Sequence, residues 1–359
     1  MARRPQKIRF VTADDGLRLA WADAGSGPPL VKAANWLSHL EYDWESPVWR
    51  HWTRFFAETF RYIRYDERGC GMSDANTGEL SLDRWIGDLE RVVNASGVST
   101  PFTLLGISQG APICVGYAVR HPERVARLIL YGGYARGVMR REDAEAASER
   151  EAIMRLMRVS WGKDHPAFRQ VFTSRFVTGA SEEQMHWWDE LCRRTTTGPT
   201  MASLLEARSV IDIQSLLPQV RVPTVVIHSR GDAAVPASEG RILAAGIPGA
   251  QYVELDSVNH ILLEDEPAWQ RFRDAVLDFS EIGGTREPAE SPFAQLSTRE
   301  RQILTLMGQG RSNMEIAESL GISDKTVRNQ VSKLFDKLGV WTRAQAIVFA
   351  NERGFKGEF

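Results

Sequence analysis

The sequence is poor in cysteine: three residues in 359, Cys70, Cys114 and Cys192, far apart and with no CxxC pair. That excludes a disulfide framework and, with no HExxH stretch either, leaves no metal-site pattern, so a reduced, cytoplasmic protein without metal or cofactor is expected. Long apolar runs are missing too. Nowhere do about 18 apolar residues follow one another, and no apolar stretch follows the first arginines, so neither membrane insertion nor export is expected. Net charge is equally scarce. With 44 basic and 46 acidic side chains the balance is -2, so no whole-chain field draws the protein to nucleic acid or an anionic membrane, and any nucleic-acid site has to be local. There is no internal repeat and no low-complexity tract.

What is present is ordinary globular material, 43% hydrophobic and 25% charged, in a chain long enough for at least two folding units. The run from Ser280 to Phe293, SEIGGTREPAESPF, has adjacent glycines, two prolines and no hydrophobic period, the composition of a connector. It divides the chain into a first domain at 1–280, a linker at 281–293 and a tail domain at 294–359. Charge changes across it: residues 291–359 carry 10 basic and 7 acidic side chains, net +3, against 34 and 39, net -5, before them.

Upstream of the linker, the runs IRFVTA, LRLAWA, RYIRYD, FTLLG, RLILYGG, TVVIHS and QYVELD alternate with helical stretches. This predicts an α/β domain with a mostly parallel sheet, helices on both faces, and the first two runs as an antiparallel hairpin at one edge. From about 138 to 217 the alternation stops. That block reads as an inserted set of helices, one opening with the capping box Ser181 to Gln184.

After the run FTLLG comes Gly106-Ile107-Ser108-Gln109-Gly110 and then a helical stretch, the strand–turn–helix setting of a GxSxG nucleophile elbow. A serine hydroxyl needs a histidine to take its proton and a carboxylate to orient that histidine. Asp232 follows the strand TVVIHS and His260 follows QYVELD, so Ser108, Asp232 and His260 occur in the required order. Taken singly, Asp232 also reads as a turn residue and His260 as a structural histidine. The order, together with the loop Asp66-Glu-Arg-Gly-Cys-Gly-Met-Ser73, resembles the α/β-hydrolase superfamily over about residues 8–279. The resemblance implies that fold with a helical cap and a catalytic triad of Ser108, Asp232 and His260; the glycines and Arg68 of the Asp66 loop suit a turn beneath the site, a structural role.

It also implies an oxyanion hole from the Gln109 N–H and a second N–H in the loop Ala34-Asn35-Trp36-Leu37, from Leu37 or Trp36. Trp36 stands where the family has glycine, so slow turnover is expected. The insertion is rich in large apolar side chains, part of which serve simple packing. Trp161, Phe172, Phe176, Trp187 and Trp188, with Trp36, are the candidate pocket walls, and a small apolar ester or lactone is the expected ligand.

In the tail, Ser297 to Glu300 and Ser312 to Glu315 are capping boxes opening two short helices, and Ser323-Asp324 opens a third after the turn Leu320-Gly321-Ile322. On the third helix Val327, Val331, Leu334 and Leu338 share one face. The opposite face carries Lys325, Thr326, Arg328, Asn329 and Lys333, with Gln330 at the border, types suited to phosphates and base edges. The run from Leu296 to Leu304, with Ser312 to Ala317, Lys325 to Arg328 and Lys337 to Val340, resembles the LuxR-type DNA-binding domain. The resemblance implies double-stranded DNA as partner, the third helix in the major groove, and a fourth helix at about 343–353 as the homodimer contact. Two readings stand: a transcription regulator whose hydrolase-like domain senses a small ligand, or an active serine esterase or lactonase with an attached DNA-binding domain.

Overall fold

The computed structural model describes residues 6–161, 173–281, 293, 296–338, 340, 342–352 and 355. Nearly all of the expected linker, and Phe172, lie outside the described residues. The chain divides into two compact units, Met1–Ile282 and Gly283–Phe359.

The first unit is built on eight strands: β1 (Lys7–Thr12), β2 (Arg18–Ala24), β3 (Pro29–Lys32), β4 (Arg61–Tyr65), β5 (Phe102–Ile107), β6 (Val125–Tyr131), β7 (Thr224–Ser229) and β8 (Gln251–Leu255). Their order in the sheet is β1-β2-β4-β3-β5-β6-β7-β8. β1 pairs antiparallel with β2, the expected edge hairpin, and β2 antiparallel with β4. Every later pairing is parallel. β3 was not among the runs expected as strands. At four residues, with a proline at its head, it carries too little pattern to stand out, yet it sits centrally between β4 and β5.

Helices α1 (Arg50–Thr59), α2 (Leu82–Ala95), α3 (Gly110–Arg120), α7 (Ala237–Gly246) and α8 (Pro267–Ser280) connect or follow the strands. Between β6 and β7 the described helices are α4 (Ala144–Ser160), α5 (Glu182–Thr195) and α6 (Gly198–Ser209), within the expected insertion. Ser181 and Gln184 form the reciprocal capping box at the start of α5.

Because side chains alternate along a strand, the sheet feeds two cores. Leu104, Leu128, Leu130 and Val226 join one with Ile86 and Leu89 of α2. Leu105, Ile129, Tyr131 and Ile227 join the other with Trp52 of α1 and Phe272 of α8. β5 is buried at every position, as a strand covered on both faces should be.

The second unit packs α9 (Thr298–Gly308), α10 (Asn313–Leu320), α11 (Asp324–Leu338) and α12 (Arg343–Glu352) around Ile303, Met307, Ile316, Val327 and Leu334. Capping boxes at Ser297–Glu300 and Ser312–Glu315 open α9 and α10. Gly321, left-handed at φ 63°, closes α10.

Candidate functional site

Ser108 opens the turn between β5 and α3, and its φ of 53° places a non-glycine residue in the left-handed region. The turn is held by the Ser108 N–H, which donates to the Tyr131 carbonyl at 2.8 Å, and by the Ala111 N–H, which donates to the Ser108 carbonyl at 3.0 Å. Gly106 lets α3 pack this close: a Cβ there would lie 2.8 Å from the Ala111 Cα. The strained backbone is therefore over-determined by neighbours, the condition under which such strain persists.

Asp232 and His260 leave the carboxyl ends of β7 and β8, where open α/β sheets place their sites. The two are joined, His260 Nδ1 to Asp232 Oδ2, at 2.6 Å with both side chains buried. The other Asp232 oxygen accepts from the N–H groups of Ala234 at 2.8 Å and Val235 at 2.9 Å. Burial by itself pushes the Asp232 carboxyl up. The imidazoles of His260 and His228 outweigh it and hold the group well below the usual carboxylate range. Asp232 is thus ionised, and it fixes the proton of His260 on Nδ1, leaving Nε2 as the basic nitrogen. Among the described residues, neither His260 Nε2 nor Ser108 Oγ has a hydrogen-bond partner, although both are buried. The structure joins Asp232 and His260 by a hydrogen bond and shows none between Ser108 Oγ and His260 Nε2.

The loop after β3 is pinned from below. Buried Lys32 donates to Asn35 Oδ1, and Asn35 Nδ2 donates to the Trp36 carbonyl at 3.1 Å. Desolvation pulls the Lys32 ammonium down to about 8. Asp66 accepts from Ser38 Oγ at 2.8 Å and from the N–H groups of Leu40 at 3.0 Å and Met72 at 2.9 Å. Leu37 takes a left-handed φ of 59°. The Trp36 N–H, one of the two expected oxyanion donors, donates instead to the Gln109 side-chain oxygen at 3.3 Å. The N–H groups of Gln109 and Leu37 have no acceptor among the described residues.

The cavity at Ser108 is small, about 40 Å³, and its described lining differs from the aromatic, apolar pocket expected. Among the described residues, Phe176 is the one expected wall that lines it, with Val138, Leu205 and Val235 as further apolar members and Tyr134, Arg141, Arg150 and Arg208 as polar ones. Trp36 and Trp188 pack against Phe176, with ring centroids 5.0 and 5.3 Å away, and Trp161 lies 6.4 Å from Trp36. Trp187 stacks on Tyr42 at 4.2 Å. Trp36, Phe176 and Trp188 belong to one buried cluster with Trp161 packed against it, and none of the four tryptophans is among the described lining residues. The cap also holds the histidine loop: the Phe176 carbonyl accepts from the Ile261 N–H at 3.0 Å, and Asn259 Oδ1 accepts from the Gly179 N–H at 2.9 Å.

Arg208 was not foreseen, although it falls on the stripe Met201, Leu204, Leu205, Arg208 of α6, where a charge among core positions is the detectable signal. Arg141, Arg150 and Tyr134 carry no such signal.

In the second unit, Lys325, Thr326, Arg328, Asn329 and Lys333 of α11 are exposed and Gln330 half-buried, whereas Val327, Leu334 and Leu338 are buried, as the helical period predicts. Thr326 is engaged by the helix cap, its N–H donating to Ser323 Oγ at 3.1 Å. Arg328 pairs with Asp324 one turn earlier. Lys337, on the same charged side, is tied to Glu300 of α9 at 2.7 Å.

Among the described residues no helix is long and apolar enough to cross a membrane, and no group of His, Cys, Asp or Glu is arranged to hold a metal ion.

Residues 50–267 match the family described as "Serine aminopeptidase, S33", and residues 294–350 match "Bacterial regulatory proteins, luxR family". The pimeloyl-[acyl-carrier protein] methyl ester esterase of Nitrosomonas europaea is 27% identical over 66% of this chain and 90% of its own. The uncharacterized transcriptional regulatory protein YhcZ of Bacillus subtilis is 44% identical over 20% of this chain and 34% of its own. The crystal structure of the enol-lactonase from Burkholderia xenovorans LB400 superposes with a TM-score of 0.61 at 25% identity, covering 76% of this chain and 99% of that one. With the strained serine, the Asp232–His260 pair and the helix-turn-helix tail, these matches place the chain: it belongs to the serine aminopeptidase S33 family of α/β-hydrolases, joined to a luxR-type regulatory domain.

Proposed function

We propose that the protein is a DNA-binding transcription regulator whose hydrolase-fold unit binds a small ester- or lactone-like molecule, and that occupancy of the Ser108 cavity biases its hold on double-stranded DNA. The observation that carries this reading is the union of two parts in one chain. One is a luxR-type unit with exposed Lys325, Arg328, Asn329 and Lys333 on α11; the other is a unit with a cavity at a buried, unpaired serine hydroxyl. A ligand that binds one conformation better than another shifts the populations, and by linkage DNA shifts ligand affinity in return. In this reading the protein acts in the cytoplasm, as a homodimer on DNA that pairs through α12.

The test is fluorescence anisotropy of the full chain on duplexes selected from a random pool, with and without an ester and lactone panel. A change in DNA affinity of about fivefold or more with at least one member supports the reading. No duplex bound at low salt, or no ligand effect across the panel, refutes it.

A second reading, an active serine esterase or lactonase, is favoured by the 2.6 Å Asp232–His260 bond and the left-handed Ser108. In that reaction Ser108 Oγ attacks the carbonyl carbon and passes its proton to His260 Nε2. Asp232 stabilises the imidazolium, and the N–H groups of Gln109 and Leu37 receive the oxyanion. It requires a hydrogen bond between Ser108 Oγ and His260 Nε2 to form when substrate is bound. Hydrolysis of p-nitrophenyl butyrate that is equal in wild type and Ser108→Ala eliminates it.

A further inference from the structure

The described residues lining the cavity at Ser108 include three arginines and no acidic side chain. Arg208 is buried, and although its Nη2 meets Glu67, its Nε and Nη1 have no acceptor among the described residues. Arg150 forms no ion pair or hydrogen bond among the described residues, and burial, reinforced by neighbouring Arg175 and Arg141, pulls it down to about 10. Arg141 donates from Nε to the Arg136 carbonyl at 3.0 Å and lies 3.7 Å from Glu239. That carboxylate already pairs with Arg136 at 2.9 Å. The Tyr134 hydroxyl is buried without a partner. Glu239 is thus shared by Arg136 and Arg141 and Glu67 is taken by Arg208, while Arg150, with Glu149 as its acidic neighbour, has no ion pair among the described residues, and Arg141, Arg150 and Arg208 line the serine's cavity. Unpaired buried charges and donors are costly, and a chain keeps them where an anion completes them.

We propose that this cavity, widening as the ligand enters, takes an ester or lactone that also carries a carboxylate, the charged end held by Arg150, Arg208 and Tyr134 and the carbonyl presented to Ser108. The proposal deepens the ligand-binding reading above and rests on it. A planar carboxylate suits guanidinium donors, which offer directed N–H groups in a plane, and the Tyr134 phenol adds a third donor group. The apolar members Phe176, Leu205, Val138 and Val235 suit a short hydrocarbon spacer between the two ends. The ligand is thus amphiphilic, anionic at one end, in place of the wholly apolar molecule expected from the sequence.

The experiment uses the full chain with Ser108→Ala, which blocks turnover, and isothermal calorimetry with monomethyl adipate, dimethyl adipate and monobutyl phosphate. The half-ester is expected to bind at least about tenfold more tightly than the diester, the gain of one charge-assisted contact. Arg150→Gln, which removes no ion pair and so leaves the fold standing, should reduce that preference to about threefold or less, and Arg150→Lys should restore part of it. Equal or tighter binding of the diester overturns the carboxylate assignment and leaves the ligand-binding reading intact. A preference for the half-ester that Arg150→Gln does not change overturns it too, as does tighter binding of the phosphate. A half-ester preference with no effect on DNA affinity upholds the site and counts against the regulatory reading instead.

Discussion

Glu67 and Arg208 lie 141 positions apart in the chain and form an ion pair whose side chains are only 2% and 3% exposed. The pair joins the Asp66–Ser73 loop, expected from sequence as a structural turn, to a residue that lines the Ser108 cavity. The loop therefore has an electrostatic link to the site besides its mechanical one. Burial pushes the Glu67 carboxyl up, and Arg208 only partly offsets that. Removing one partner should cost far more than removing both. Arg208→Met alone is expected to lower stability by about 3 kcal/mol, and Glu67→Gln combined with Arg208→Met by clearly less. Urea unfolding of the four proteins gives the cycle; additive losses would contradict it.

Ser108 should be a site where function and stability oppose each other. A left-handed non-glycine residue costs on the order of 1–2 kcal/mol, and glycine relieves it. Ser108→Gly is expected to raise the unfolding free energy by about 1 kcal/mol, whereas Ser108→Ala keeps the strain and gains nothing similar. The comparison is read from denaturation midpoints at constant m-value.

Gly132 guards the imidazole. At φ 56°, a Cβ on it would stand 3.1 Å from His260 Cε1 and 3.3 Å from Nδ1. Gly132→Ala should strain the backbone and shift the ring by a few tenths of an ångström, lowering any ester-hydrolysis rate by about tenfold or less. An unchanged kcat would show that His260 is not the base.

His51 sets an acid limit on stability. Its Nε2 meets the Leu262 carbonyl at 2.9 Å and must carry the ring proton, while Nδ1 is buried without a partner. Burial brings the group down to about 4 from its ordinary 6.5. Between those values the unfolded chain binds the proton and the folded chain does not, so stability is full above about pH 6.5 and falls as pH drops toward 4. The loss should reach about 3 kcal/mol. Thermal unfolding from pH 7.5 to 4 should show this slope in wild type and a flatter one in His51→Gln.

Two lysines on α11 should separate DNA binding from folding. Lys333→Ala is expected to weaken binding to all duplexes and reduce the salt slope by about 1, and Asn329→Ala to relax preference at one base pair. Lys337→Ala leaves the buried carboxylate of Glu300 without its lysine and should instead destabilise the second unit by about 1 kcal/mol. Filter binding across salt, with melting of each variant, tells the effects apart.

Much of the fold was legible because its signals are local. The alternation of strand and helix, the elbow around Ser108 and the boxes at Ser181, Ser297 and Ser312 each lie within a few residues of chain. Asp232 and His260 were readable because each follows a strand whose carboxyl end faces the same edge of the sheet. The arginines of the cavity were not readable in this way. Arg141, Arg150 and Arg208 come from three separate segments, and only packing decides that they share a lining with Ser108. The aromatic roof misled for the converse reason: composition reveals large apolar rings in the insertion but not which of them reach a void. Trp36 and Trp188 pack on Phe176 and Trp161 on Trp36, and among the described residues Phe176 is the one expected wall that lines the cavity.

Trp36 faces two ways, its main chain bound to the Gln109 carboxamide and its indole packed on Phe176. One residue thereby senses both the serine's turn and the roof above it. A fluorine atom on that ring would give the intact protein a built-in resonance whose shift reports a guest's arrival before any promoter is involved.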